Sequence, residues 1–287
     1  NNIIDSNGVI GIRINSGGHT VIGNTISSNM YGGISVYSDS NTISNNIIKN
    51  NENDGIYLSS SDSNTISNNT IKDNGDDGIY LDNSNNNTIS SNTIDDNSDE
   101  GIQLKSSNNN VIHNNTVTDS PNAIQLQVNS SNNTISNNFI ENTIYEAGYG
   151  DGLSIIGSNN IITNNTIKDS GDNGIVISGD SNIVQYNNIT GNGYGLNSSS
   201  SVDARYNWWG NESGPSGAGP GNGDSINNTS LINYSPWLCD PSGESPIEYC
   251  VQQMELEWIY ETGGSITNVA ISKDGEYIFA GSNEDEE

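Results

Sequence analysis

The chain has 287 residues, 35 of them acidic and 7 basic, giving a formal net charge of −28, and only 31% are hydrophobic. That balance argues against a nucleic-acid partner or an anionic membrane surface, because phosphate contacts need Lys and Arg. So few apolar residues can hold a fold only if they all point inward at fixed places, as in a repeat protein.

Such a repeat runs from the N-terminus. The phrase Asn-Thr-Ile-Ser-Asn-Asn-x-Ile returns along the chain. Its first apolar position falls at Val21, Ile43, Ile66, Ile89, Ile112, Ile135, Ile162 and Val184, at intervals of 22 or 23 residues with a single interval of 27. Five residues later comes a second apolar position, from Ile26 and Ile48 to Ile167 and Ile189. A third set follows a small residue, usually Gly, from Ile12 and Ile34 to Ile175 and Leu196. In the Gly-Ile-x-Leu segments, Leu58, Leu81 and Leu104 alternate with polar residues in period two, as half-buried strands do. No 3.6-residue period is sustained, and β-branched Ile suits strands. The expectation is an all-β parallel β-helix of about nine to ten coils with three strands per coil, successive coils hydrogen-bonding about 4.8 Å apart.

Asn24, Asn46, Asn69, Asn92, Asn115, Asn138, Asn165 and Asn187 stand three residues after the first apolar positions. Asn tolerates left-handed backbone, and amides stacked at one turn can form a hydrogen-bonded ladder. One coil is longer, between Ile140 and Leu153, and its extra residues are expected to protrude as a loop.

Beyond Leu196 come Ala204-Arg-Tyr-Asn-Trp-Trp-Gly210, Gly214-Pro215 and Asn233-Tyr-Ser-Pro-Trp-Leu238. Asn207 and Trp209 take the ladder and second apolar places of one more coil, and Trp208, Trp209 and Trp237 are expected to plug the open core. Cys239 and Cys250, eleven apart, suit a local disulfide in an oxidising compartment, with two free thiols as the alternative. Glycosylation sequons at Asn68, Asn86, Asn114, Asn132, Asn164 and Asn188 fit a secreted protein.

The repeats resemble those of the right-handed parallel β-helix superfamily shared by pectate lyases, polysaccharide epimerases and carbohydrate-binding surface proteins. The Trp-rich ending resembles the final coils of periplasmic copper-processing β-helix proteins and of archaeal surface proteins. After Cys250 the composition changes. Trp258 to Ser282 resembles the first blade of a WD-repeat or YVTN-type β-propeller, with Val269, Ile271, Tyr277 and Phe279 alternating around a Lys273-Asp274-Gly275 turn. The expected division is a β-helix with its cap over 1–240, a linker over 241–255 and a β-hairpin over 256–287.

Two constellations carry candidate chemistry. The outward face of the Gly-Ile-x-Leu strands bears Arg13, Tyr37, Tyr57, Tyr80, Asp82, Gln103, Lys105, Gln125 and Gln127. Tyr57 and Tyr80 lie one coil apart, and aromatic rings beside amides and charges suit a sugar, with its apolar ring face and hydroxyl rim. A lyase or epimerase on this face would need a base, for which Lys105 and Tyr80 are the candidates. The second constellation is acidic. Asp73, Asp96 and Asp119 share one turn in consecutive coils, while Asp54, Asp77 and Glu100, with Asp151 later, share another; Asp76, Asp95 and Asp99 add to them. Columns of like charge at strand spacing repel unless they are solvated or bridged, and Ca²⁺ is the natural bridge for oxygen ligands. Asp73, Asp77, Asp96, Glu100 and Asp119 are the candidate ligands. His19 and His113 lie four coils apart, too far to share a metal.

These readings converge on an extracellular, cell-surface structural or adhesive module. It would bind glycan, take Ca²⁺ but require no cofactor, and associate with copies of itself or with other surface proteins. A polysaccharide lyase or epimerase is the alternative, as is a filament subunit that exchanges its C-terminal hairpin between molecules.

Overall fold

The computed structural model describes residues 2–141, 143, 150–241, 266–271 and 278–282. From Ile3 to Asp203 each coil lays one short strand in each of three parallel sheets, which hold nine, eleven and ten strands once the C-terminal additions are included. The first sheet begins at Ile3–Asp5 and ends at Asn188–Thr190. The second begins at Ile10–Ile14, reaches Tyr194–Ser198 and is extended by Gly223–Ile226 and Pro215–Gly217. The third begins at Thr20–Ile22 and ends at Ile232–Asn233. Most strands are only three to five residues long, so the fold is made as much by its corners as by its strands.

The inward residues of each strand stack on their counterparts one coil away. Ile43 pairs with Ile66, Ile66 with Ile89 and Ile89 with Ile112, and all four are fully buried. Parallel columns run through Ile71 and Ile94 in the first sheet and Leu58, Leu81 and Leu104 in the second. Three lines of aliphatic side chains thus fill one narrow interior, each residue contributing about 1.5–3 kcal/mol by leaving water. The small residue ahead of each second-sheet strand has a steric cause. A Cβ on Gly78 would sit 2.6 Å from the Gly101 carbonyl oxygen and 2.7 Å from Ile94 Cγ2.

Asparagine makes the corners. Asn45, Asn68, Asn114, Asn137 and Asn164 turn the chain from the third sheet to the first in left-handed backbone, with φ of 54–56°, a conformation that Asn adopts more readily than other side chains. The residue after each forms the expected ladder. The Asn69 backbone and side-chain N–H groups both donate to Asn92 Oδ1 at 3.0 Å, and Asn92 repeats the pattern on Asn115. Asn92 also donates to the Ile66 carbonyl. Each buried amide therefore satisfies backbone groups that no strand reaches.

Further ladders run through Asn41, Asn64, Asn87 and Asn110, through Asn29, Asn51 and Asn74, and through the hydroxyls of Ser84, Ser107 and Ser130. Sequence reasoning named one ladder and overlooked the others, although the second recurs at the same intervals.

Asn207 continues the first ladder, accepting from Asn187. Trp209 is fully buried, Trp237 packs partly buried against the same core, and Trp208 is half-buried and bridged to Asn188. Within the long coil, residues 142 and 144–149 lie outside the described residues, as do Cys250 and the linker expected after Pro241. The chain divides into two compact units, Asn1–Val251 and Gln252–Glu287. In the second, Ile266–Ile271 pairs antiparallel with Ile278–Ser282. That pairing is common to hairpins of every kind and does not show a propeller blade; the Lys273-Asp274-Gly275 turn lies outside the described residues. Among the described residues no helix is long and apolar enough to cross a membrane.

Candidate carbohydrate face and carboxylate cluster

The outward side of the second sheet brings the predicted aromatic residues together. Tyr57 lies opposite Tyr80, Tyr80 opposite Gln103, Gln103 opposite Gln125 and Asp82 opposite Lys105. The Tyr57 and Tyr80 rings have centroids 5.4 Å apart. Tyr37 meets Tyr57 edge-on at 6.2 Å, and the Arg13 guanidinium sits 4.6 Å from the Tyr37 ring centroid. An aromatic strip three coils long, capped by a cation at one end, therefore stands on the parallel sheet. Gln127 extends the polar end by donating to Gln125 at 2.8 Å.

At the edge of this strip, where each coil turns into the second sheet, the carboxylates converge. Oxygen atoms of Asp54, Asp76 and Asp77 lie within 4.8 Å of one another, and so do those of Asp77, Asp99 and Glu100. Asp77 and Glu100 are buried and Asp54 is half-buried. Asp77 accepts from the Glu100 backbone N–H at 2.9 Å. Glu100 is clamped by three side-chain amides: Gln103 at 2.9 Å, Asn122 at 3.1 Å and Gln125 at 2.7 Å. Among the described residues Asp54 Oδ1 is buried without a hydrogen-bond partner. The column continues with the Asn122 amide donating to Glu100, the Asp151 backbone N–H donating to Asn122 Oδ1 and the Asn173 amide donating to the Asp151 carboxylate.

Crowding and burial set the protonation of this cluster. Burial, reinforced by the charges of Asp76 and Asp99, pushes Asp54 up to about 7. Burial also raises Asp77 well above the usual carboxylate range, with Glu100 and Asp54 adding repulsion. Asp99 moves the same way, first by burial and then by its contact with Glu100. The Tyr80 phenol is pushed above its ordinary value, mainly by burial and then by Asp82, which makes it a poor base. Lys105, the other candidate base, is exposed.

The five predicted cation ligands do not form a single set. Asp77 and Glu100 belong to the cluster. Asp73, Asp96 and Asp119 sit in left-handed turns after first-sheet strands, and Asp73 is paired with Lys72 at 3.0 Å. Asp54, Asp76 and Asp99 complete the cluster instead. The amide clamp was not foreseen: Gln103 reaches Glu100 within one coil, but Asn122 and Gln125 reach it from the next, and a hydrogen bond between coils leaves no mark within one repeat. Of the sequon residues, Asn68, Asn86, Asn114, Asn132 and Asn164 are exposed at corners, and Asn188 is half-buried in a strand. His19 is hydrogen-bonded to Ser16 and His113 to Asn114.

Comparison with known proteins agrees with this architecture. A family model described as right handed beta helix region matches residues 1–140, and that of the periplasmic copper-binding protein NosD matches residues 97–211. No curated protein matches the chain significantly. Among solved structures, the A-module of an Azotobacter vinelandii mannuronan C-5 epimerase superposes with a TM-score of 0.54 at 17% identity, covering 62% of this chain and 55% of that module. Pectate lyase Pel9A gives 0.52 at 14% identity, covering 85% of this chain and 72% of the lyase. A DFA-IIIase of Arthrobacter chlorophenolicus bound to DFA-III gives 0.52 at 15%, covering 76% and 62%. The chain thus spans little more than half the length of the epimerase module, and at these identities the likeness is one of fold. Three parallel sheets, their coil-by-coil register and the two family matches together identify the described residues within 2–241 as a right-handed parallel β-helix.

Proposed function

We propose that this chain is a polysaccharide-binding β-helix module that works outside the cytoplasm and holds a glycan along the outward face of its second sheet. The observation that carries this reading is the Tyr37–Tyr57–Tyr80 strip, with ring centroids 6.2 and 5.4 Å apart beside Gln103, Gln125, Gln127, Asp82 and Lys105. Aromatic faces receive the C–H side of a sugar ring, and the amides and charges bond its hydroxyls. Structural neighbours named as polysaccharide lyases and epimerases, and a family match to a periplasmic protein, support the substrate class and the location. A surface or adhesive role follows from binding without turnover.

The carboxylate cluster serves this face as a Ca²⁺ site, with Asp54, Asp76, Asp77, Asp99 and Glu100 supplying hard oxygen ligands. A cation there would hold Glu100, and through it Gln103 and Gln125, in place on the glycan face. Binding of neutral and uronate oligosaccharides, measured calorimetrically with Ca²⁺ and with chelator, tests both statements. Tyr57→Ala with Tyr80→Ala is expected to weaken binding by about tenfold or more. Unchanged affinity in the double variant would refute the face.

One observation favours a second reading. A carboxyl that stays protonated near neutral pH beside an aromatic strip is what general acid catalysis requires, and Asp54 is such a group. Cleavage of a bound polysaccharide that is lost in Asp54→Asn would establish an enzyme. Binding without turnover across a broad panel would leave the module non-catalytic.

A further inference from the structure

The corner between the third and first sheets is turned by one left-handed residue per coil. From Asn45 to Asn164 that residue is Asn or Ser. The last two coils place tyrosine there, Tyr186 at φ 59° and Tyr206 at φ 61°. The register is secure, because Tyr186 and Tyr206 immediately precede the ladder residues Asn187 and Asn207, which bond to each other. Left-handed backbone strains a bulky side chain, and strain of this kind gathers at functional sites.

The two rings stack, with centroids 5.3 Å apart and planes 7° from parallel. The column steps down to Asn164 on the N-terminal side, and Tyr186 remains 40% exposed. A polar rim lies alongside. Arg205 grips Asp203 with two bonds of 2.8 and 2.7 Å, Gln185 donates to Asp203 at 2.9 Å, and the guanidinium lies 5.7 Å from the Tyr206 ring centroid. Asp203 neutralises Arg205, so the rim offers hydrogen bonds with little net charge.

We propose that Tyr186 and Tyr206 form a second saccharide site, separate from the second-sheet face, which takes a neutral pyranose ring against Tyr186 while Gln185, Asp203 and Arg205 bond its hydroxyls. The strained tyrosines give this corner an aromatic surface that Asn cannot provide.

The test uses the whole chain with cellohexaose, xylohexaose and mannohexaose, followed by ring-proton NMR and calorimetry. Binding of at least one sugar should shift the Tyr186 ring signals. Tyr186→Asn restores the residue that earlier coils use. It should weaken that binding by about tenfold or more while leaving the melting temperature unchanged or raised. In Tyr80→Ala, which alters the second-sheet face, the titration of the Tyr186 ring signals should be unchanged. The proposal is overturned if no sugar shifts the Tyr186 ring, if Tyr186→Asn binds as before, or if Tyr186→Asn lowers the melting temperature, since the stack would then be structural support. Loss of the Tyr186 ring shift in Tyr80→Ala would move the ligand to the second sheet and overturn it equally.

Discussion

The amide column through Asn69, Asn92 and Asn115 and the acid column through Asp54, Asp77 and Glu100 occupy equivalent kinds of corner in the same solenoid, yet their chemistry differs in one respect. An amide both donates and accepts, so each Asn can be satisfied by the coils on either side of it. An ionised carboxylate only accepts. Stacked carboxylates must therefore hold protons, borrow donors from outside the column, or share a cation. Glu100 borrows three amides, and Asp54 Oδ1 has no partner among the described residues. A self-satisfying column needs nothing from outside itself; a column of carboxylates draws on side chains of other columns.

The largest expected effect comes from turning the first column into the second. Asn92→Asp keeps the shape and removes two donors from a buried site, so urea unfolding at pH 8 should show a loss of about 3 kcal/mol or more. Much of that loss should return at pH 4, where the carboxyl is neutral. If stability is unaffected at pH 8, the account of the ladder is wrong.

The reverse exchange has a smaller effect of opposite sign. Asp77→Asn removes a repelling group from beside Asp54 and Glu100, and with chelator present at pH 8 it should stabilise the protein by about 1–2 kcal/mol. A loss of stability in chelator would mean that the carboxyl itself is needed to hold the corner.

The third effect is that of pH on the unmodified chain. Asp54 has an ordinary value of 3.8 when unfolded and about 7 in the fold, so the folded state binds the extra proton. The stability this lends is whole below pH 3.8 and is lost as pH rises through 7. Asp203 opposes it at the acid end. Arg205 holds its carboxyl below the usual range, so its contribution is present above 3.8 and fades as pH falls further. In chelator the melting temperature should therefore fall between pH 5 and pH 8. Ca²⁺ should reverse the fall and release protons on binding, which calorimetry in buffers of different ionisation heat would detect. A melting temperature at pH 8 that ignores Ca²⁺ would remove the cation from the account.

Much of this was legible because one interval governs the chain. The 23-residue step predicts that Ile66, Ile89 and Ile112 stack, and they do. The same step pairs Tyr57 with Tyr80 and Asp54 with Asp77. What it hides is whatever crosses between coils at different phases, such as Gln125 reaching Glu100. It also hides features where the step changes. Tyr186 and Tyr206 are 20 residues apart, so their stack falls outside the interval that exposes the others. The grouping of cation ligands was only partly visible, because Asp73 and Asp77 are four residues apart yet belong to different corners.

The near-identity of successive coils has a consequence for how such a chain can vary. Excising residues 65–87 would remove one strand from each sheet and one rung from each ladder, and would leave Ile43 facing Ile89 as it now faces Ile66. Unequal exchange between neighbouring copies of the repeat in the gene would have the same result. The height of the solenoid can thus be edited by whole storeys, but the aromatic strip and the carboxylate cluster each span several of them, so this cut would remove Tyr80, Asp76 and Asp77 and leave Tyr57, Asp54 and Glu100 without those neighbours.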